Sequence, residues 1–501
     1  MTNAHATTPK LVGARVQRVE DARFLTGHGA YVDDRAPAGM VHVALLRSVH
    51  AHAQINAIDT AAARAMPGVH AVVTAADLAG LSQPIRATSR MKDYHVTPTP
   101  VLAEGKVRFV GEAMAAVIAD NRYIAEDALR RIEIDYEALP ALSDPLLALA
   151  PGAPLLHQAA GTNIILTRTF ARGEVDEAIA HAPVTVKARF RFRRKAVVAI
   201  ENRCALAEYN PGTRALTLHT TTQVPGVIRD VLCDLMDLPG NRVRVVAGDV
   251  GGGFGGKTSL YPEEILVCLL ARRLGRPVKW TSDRLEDLSS TSQGFDEIID
   301  AELGVAADGS ILGLSADVVG DIGAYSIYPW TAALEPVQVV SFLPGPYKVP
   351  AYRGRVRGVA TCKPPLGPYR GVGRPVSTFV MERLIDMAAA RLGLDPVEMR
   401  LRNLVRDDEF PYKTPSGIVW DRTGFTQCLT MARDHLDYAA MRAEQAKARA
   451  EGRWVGIGFA SYAELTGLGS RISAAPGMPV NTGTEAATIR IDPSGTDFDA
   501  R

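Results

Sequence analysis

An excess of charge of either sign is missing from this 501-residue chain, where 56 Lys and Arg face 55 Asp and Glu for a formal net charge of +1. Binding a nucleic-acid backbone draws on a clustered cationic surface, so no nucleic-acid partner is expected. Cysteine is scarce. Cys204, Cys233, Cys268, Cys362 and Cys428 are scattered without a CxxC pair, a pattern that suits neither a disulfide framework nor an iron–sulfur site and fits a reducing compartment. Long apolar runs are missing as well: the longest, 113–119 and 265–271, fall far short of the about 20 residues that a membrane helix needs. The polar opening, residues 1–10, lacks the apolar centre of a signal peptide, and a cytoplasmic address is expected.

What is present has globular proportions, 47% hydrophobic and 22% charged, with enough chain for about three domains at roughly 150 residues each. Alternating residues predict strands at 41–46, 53–58, 69–74 and 113–119, a helix at 122–131 and a strand at 132–136. Together they read as a compact α+β unit over 1–140. Pro145, Pro151 and Pro154 mark a linker at 141–162. Beyond it, strands at 184–192 and 216–222 alternate with helices at 227–236, 262–274 and 376–392, a mixed α/β domain over 163–430. A further helix, ending near Leu404, starts at a capping box of Asp395, Pro396 and Glu398. Residues 431–501 are expected to return to short strands from Trp454, as the incomplete start of another domain.

The densest signal is Gly251-Gly252-Gly253-Phe254-Gly255-Gly256-Lys257, reached through the β-branched run 243–250. So many glycines demand positive φ or a close approach to backbone. The string also satisfies GxxxxGK[ST] through Gly251, Gly256, Lys257 and Thr258, so a nucleotide-binding loop is one reading and a structural turn another. In a phosphate loop the Lys and Thr open a helix whose N–H groups face the phosphates. A helix begun at Lys257 would carry Pro262 in its second turn, at a cost of about 3 kcal/mol, whereas a helix begun at Pro262 takes it harmlessly in first position. Residues 311–317, broken by Gly313 and Ser315, make a poor acidic strand for the same motif. A loop pressed against a bulky polar cofactor is the reading that remains.

The string from Gly248 to Lys257 resembles the signature of the molybdenum-cofactor subunit of the xanthine dehydrogenase, aldehyde oxidase and aerobic carbon monoxide dehydrogenase family. Five other stretches agree in order: 18–27, 47–52, 220–223, 369–375 and 392–404. The resemblance implies an a/b hammerhead-like domain followed by a molybdopterin-binding domain. It gives Gln223 the bond to the apical oxygen of molybdenum. Gly252, Gly253, Phe254, Gly255 and Gly371 would supply backbone around the cofactor, and Arg370 would orient substrate and stabilise developing negative charge. It also implies molybdopterin in its cytosine dinucleotide form, electron transfer to iron–sulfur and FAD subunits, and a dimer of heterotrimers.

Departures from the family pattern narrow the substrate. Carbon monoxide-oxidising members hold copper on a Cys where this chain has Gly371, and purine-oxidising members carry Glu where it has Thr258. An aldehyde or N-heteroaromatic substrate is therefore expected. The family's general-base glutamate lies far toward the carboxyl terminus and is not found in this sequence. The chain is accordingly read as an amino-terminal part, completed by a separate chain or else a truncated, non-catalytic remnant. The ending 497–501 is expected to supply no strand partner for 486–491.

Three other features have plainer readings beside the functional ones. His50 and His52, at i and i+2 on a predicted strand, could pair on zinc but lack a third ligand nearby. The basic–aromatic stretch 187–195 could bind a single strand, and its period of two fits an ordinary strand with a basic face. Glu133 and Asp135 read as a solvated strand face.

Overall fold

The computed structural model describes residues 11, 13–464 and, as backbone, 489–491 and 498–500. Two large sheets organise it. The first has seven strands in the order Val243–Val246, Ala215–Thr220, Cys204–Asn210, Val278–Thr281, Val41–Arg47, Ala113–Ala119 and Val69–Thr74. Val41–Arg47 runs parallel to Val278–Thr281, with Val41 opposite Val278, and antiparallel to Ala113–Ala119. Strands from both sides of residue 140 thus share one sheet. Period two divides its faces: Val43, Leu45, Val73 and Ile118 join the core under helices Pro225–Met236 and Pro262–Leu274, while Ala44, Val72 and Val117 meet helix Arg122–Leu129.

The second sheet has five strands in the order Ile164–Arg172, Ala351–Ala360, Ile311–Gly323, Glu297–Val305 and Val184–Arg191. Ile299, Ala301, Leu303, Leu314 and Val356 face a core shared with helices Leu334–Phe342 and Arg374–Leu392. Ile298, Val319 and Val359 face the other way and are covered by Ala148. That residue belongs to the expected linker, which is a packed segment. Helix Pro145–Ala148 is capped by Asp144, and Asn163 bonds the carbonyls of Ala148 and Pro154 and accepts the Leu156 N–H.

The predicted helices stand close to their expected bounds. Pro262 occupies the first position of its helix, and Gly275 and Gly393, at φ +61° and +68°, end Pro262–Leu274 and Arg374–Leu392. Asp395 caps Pro396–Asn403 through its own carboxylate, without the reciprocal Glu398 bond of a capping box. The short strands expected beyond Trp454 occur at Ile489–Ile491 and Phe498–Ala500; residues 454–464 carry none, and helices Phe425–His435 and Tyr438–Ala450 precede them. Two expectations fail. His50 and His52 lie in the turn between strands, where the His52 ring bonds the Pro140 carbonyl and His50 packs on Tyr136. Finally, Ile489–Ile491 does find a partner: it pairs antiparallel with Phe498–Ala500, Ile489 opposite Ala500. Three extended positions suffice for such a pairing, and the intervening 492–497 lie outside the described residues.

Candidate active site

The glycine loop follows strand Val243–Val246 and is hemmed in on every side. A Cβ at Gly251 would stand 2.5 Å from Glu201 Cβ, one at Gly253 2.4 Å from Gln223 Oε1, one at Gly255 2.4 Å from the Pro368 carbonyl, and one at Gly256 2.9 Å from Val197. Gly252 and Gly255 also hold φ at +100° and +104°. The glycines are therefore needed for the approach of other chain segments. The loop's amides turn inward: Gly251 N–H donates to Glu201, Gly255 N–H to Gln223 Oε1 at 3.0 Å, and Gly256 N–H to the Gly253 carbonyl.

Lys257 decides against a phosphate loop. Its side chain is 4% exposed and its ammonium donates to Glu201 at 2.8 Å. Burial lowers its pKa against the pull of that carboxylate. Turns, not a helix, follow it until Pro262. Thr258 donates its hydroxyl to the Gly255 carbonyl and accepts from the Trp330 indole.

A second loop, between strand Ala351–Ala360 and helix Arg374–Leu392, is stitched to the first. Arg370 N–H donates to the Phe254 carbonyl at 2.9 Å. Gly371, Val372 and Gly373 follow at φ +101°, +47° and +73°. A β-branched residue at positive φ is strained, and such strain collects at functional sites. Buried Glu335 holds this loop by accepting the Tyr369 N–H. Burial, with the added repulsion of Glu335 and Asp296 in the case of Glu297, keeps the carboxyls of Glu335 and Glu297 well above the usual range.

Between the loops opens a cleft of about 580 Å³ lined by Gln223, Phe254, Gly255, Arg370 and Gly371, with Trp330 and Tyr369 among its walls. Five of the seven residues singled out in the sequence thus meet at one cavity. Gly252 and Gly253 lie outside its lining, against Phe254 and Gln223. Phe254 is 45% exposed. Arg370 is exposed and has no ion-pair partner among the described residues. Its neighbour Arg374 is fixed by the Gly371 carbonyl at 2.9 Å and by Glu464 at 3.0 Å.

Behind the glycine loop sits a buried ionic cluster that the sequence did not announce. Arg47 bonds Glu263 and Glu286, Arg203 bonds Glu263 from the other side, and the Arg203 guanidinium lies over the Tyr261 and Trp280 rings. Burial disfavours the Glu263 charge, but Arg203 and Arg47 overcome it and bring its pKa down to about 2. Adjacent Glu264, which accepts from Thr220 and Tyr261, is pushed up to about 7 by burial. The segment 18–27 joins the same region, since Arg23 grips Asp249 at the loop's entrance. Of the stretch 187–195, residues up to Arg191 belong to strand Val184–Arg191, whose Lys187 and Arg189 pair with Glu302 and Asp300 while Phe190 packs on Phe379, and 192–194 break it before Lys195.

Fold and cleft define a class: a cofactor-binding α/β chain whose glycine loop and arginine loop enclose one cavity. Residues 156–404 match the family described as the molybdopterin cofactor-binding domain, and residues 26–140 the a/b hammerhead domain of aldehyde oxidase and xanthine dehydrogenase. The chain belongs to the molybdenum-cofactor-binding subunits of the xanthine dehydrogenase, aldehyde oxidase and carbon monoxide dehydrogenase family. It is 34% identical to the nicotine 6-hydroxylase large subunit of Paenarthrobacter nicotinovorans, over 99% of this chain and 61% of that protein. It is 37% identical to the carbon monoxide dehydrogenase large chain of Hydrogenophaga pseudoflava, over 99% and 63%. Quinoline 2-oxidoreductase from Pseudomonas putida 86 superposes with a TM-score of 0.91 at 39% identity, covering 97% of this chain and 61% of that one. The chain spans about three-fifths of the length of these relatives.

Proposed function

We propose that the chain forms the part of a molybdenum hydroxylase that carries one side of the cofactor site and the substrate-orienting arginine. The observation that carries this reading is the single cleft on which Gln223, Phe254, Gly255, Arg370 and Gly371 converge from three separated segments. The residues suit the cofactor. Gly255 N–H occupies Gln223 Oε1 and so sets the carboxamide orientation, leaving its NH2 as the donor to a cofactor oxygen. Phe254 and Gly255 are the loop residues that would border the group, and a side chain at Gly253 or Gly255 would collide with Gln223 or Pro368. When bound, the molybdenum centre supplies transfer of a water-derived oxygen to a substrate carbon and takes up the electron pair.

Arg370, without an ion-pair partner among the described residues and held by its backbone bond to Phe254, binds an acceptor atom of the substrate and the negative charge that develops during attack. Trp330 and Tyr369 supply flat apolar walls that exclude water. The Thr258 hydroxyl, already donated to Gly255, offers no carboxylate for a purine. The substrate proposed is accordingly an aldehyde or an N-heteroaromatic compound. Electrons leave to iron–sulfur and FAD subunits, the pterin is the cytosine dinucleotide form, the complex is a dimer of heterotrimers and its place is the cytoplasm. The base glutamate is assigned to no described residue and is sought in a polypeptide covering the rest of the relatives' length.

The test is the molybdenum content of the purified chain, expressed alone and with such a polypeptide in a host that makes the cofactor. Metal retained with the partner and lost in Gln223→Ala supports the reading. Equal molybdenum in wild type and Gln223→Ala, or none in either, sinks it and favours the non-catalytic remnant.

A further inference from the structure

Helix Leu334–Phe342 packs on the second sheet with a buried carboxyl on each side of the contact. On the helix, Glu335 accepts the Tyr369 N–H at 3.2 Å, and its own carbonyl stands 2.7 Å from where a Cβ at Gly373 would lie. One residue thus touches both ends of the loop that carries Arg370. On the sheet, Glu297 lies opposite Gly320, and a Cβ at Gly320 would stand 2.8 Å from Pro336, the residue after Glu335. Directly paired strand residues point to the same face, so Glu297 looks toward the start of the helix, on the face where Ile299, Ala301 and Leu303 pack.

Nothing in that interior compensates two charges. Both oxygens of Glu297 and Oε2 of Glu335 are buried without a hydrogen-bond partner, and neither residue makes an ion pair among the described residues. The surrounding charges are engaged with one another: Asp296 with Arg194 and Lys363, which both also reach Asp321, and Arg374 with Glu464. Neighbouring buried carboxyls without a cation between them do not both ionise. Burial pushes Glu335 up to about 8 against the pull of the Tyr369 and Gly373 amides and Arg374. Burial and the repulsion of Glu335 and Asp296 hold Glu297 well above the usual carboxylate range, with Arg194 opposing. A neutral carboxyl still offers its carbonyl oxygen to the Tyr369 amide.

We propose that Glu335 is a positioning residue for Arg370: its uncharged carboxyl latches the arginine loop, Glu297 opposes its ionisation, and the carboxyl loses its proton when the loop opens. The inference rests on Arg370 being the substrate-orienting arginine. In the open loop Glu335 meets water and returns to an ordinary value near 4.3. The latch is therefore complete below that value and is lost as pH rises through about 8.

Hydrogen exchange of the full 501-residue chain from pH 5 to 9, read as protection of the 369–374 amides relative to an unfolded reference, tests this. Wild type should lose about tenfold in protection per pH unit between pH 5 and 7, as one proton released on opening requires, and level off near pH 8. Glu335→Gln, which keeps the acceptor and does not ionise, should give constant protection, and Glu335→Ala should lower it at every pH. In Glu297→Gln the fall should level off at lower pH, and thermal unfolding checks that the variants fold. A flat wild-type profile, the same slope in Glu335→Gln, no better protection in Glu335→Gln than in Glu335→Ala, or an unaltered profile in Glu297→Gln overturns the proposal. The reading of the cofactor site fails separately, on the molybdenum content of Gln223→Ala.

Discussion

The two sides of the glycine loop differ in how completely their polar groups are satisfied. Behind it, both oxygens of Glu263 are taken by Arg47 and Arg203, whereas Lys257 is seated on one oxygen of Glu201 whose other oxygen is buried without a partner. In front of it, Arg370 has no ion-pair partner among the described residues, and Gln338 Oε1 and Arg374 Nε are buried without bonds. The contrast separates scaffold from site. A saturated ionic cluster fixes where the loop lies, and the cleft in front of it exposes an arginine, Arg370, that no described residue pairs.

The strongest way to break this comparison is Glu263→Gln. It leaves Arg47 and Arg203 buried and short of a carboxylate, and should cost about 3–5 kcal/mol in urea unfolding. A loss below about 1 kcal/mol would mean that the cluster is not what holds the back of the loop. Next in size is Gly255→Ala. Its positive φ and the Pro368 carbonyl at 2.4 Å from the new Cβ should destabilise by about 1–3 kcal/mol. Hydrogen exchange should also show the Arg370 amide, bonded to Phe254, losing protection.

The adjacent glutamates sharpen the contrast through pH. Glu264, raised to about 7, favours the fold fully below its unfolded value near 4.3, and this contribution is lost as pH rises through about 7. Glu263, lowered to about 2, contributes above the unfolded value, and that contribution is lost as pH falls through about 2. Between pH 5 and 7, wild type should therefore lose stability relative to Glu264→Gln by up to about 1.4 kcal/mol per pH unit, one proton's worth. Parallel stability profiles for the two proteins would refute the assignment. The smallest effect has the opposite sign: Gln338→Met, replacing an unbonded buried amide by an apolar group of similar size, should stabilise the chain by about 1 kcal/mol in the same assay. Destabilisation would show that Gln338 belongs with the saturated side.

Much of the site was legible because its residues have few other uses. A run such as Gly251 to Gly256 is rare enough to mark a tight approach, and the position of Pro262 alone placed the start of its helix. The partner of Lys257 was not legible, since Glu201 lies far away in sequence and only the fold brings the two together. Helix Leu334–Phe342 escaped notice because it is buried all round and shows no amphipathic period, so Gln338 went unremarked. The strain at Val372 is likewise invisible in sequence, for nothing in Gly-Val-Gly says that valine itself adopts positive φ. In the fold, the local units were readable, while the pairing of Val41–Arg47 with Val278–Thr281 was not, because parallel partners leave no turn between them.

That parallel pairing also sets a clock. Strand Val41–Arg47 leaves the ribosome long before Val278–Thr281 is translated, and at about 5–20 residues per second the wait is on the order of tens of seconds. Until then its hydrogen-bonding edge has no native neighbour on that side. The last strand to be made closes the centre of the sheet, joining Val41–Arg47 to Cys204–Asn210, so the amino-terminal strands reach their final setting only after the glycine loop has been synthesised.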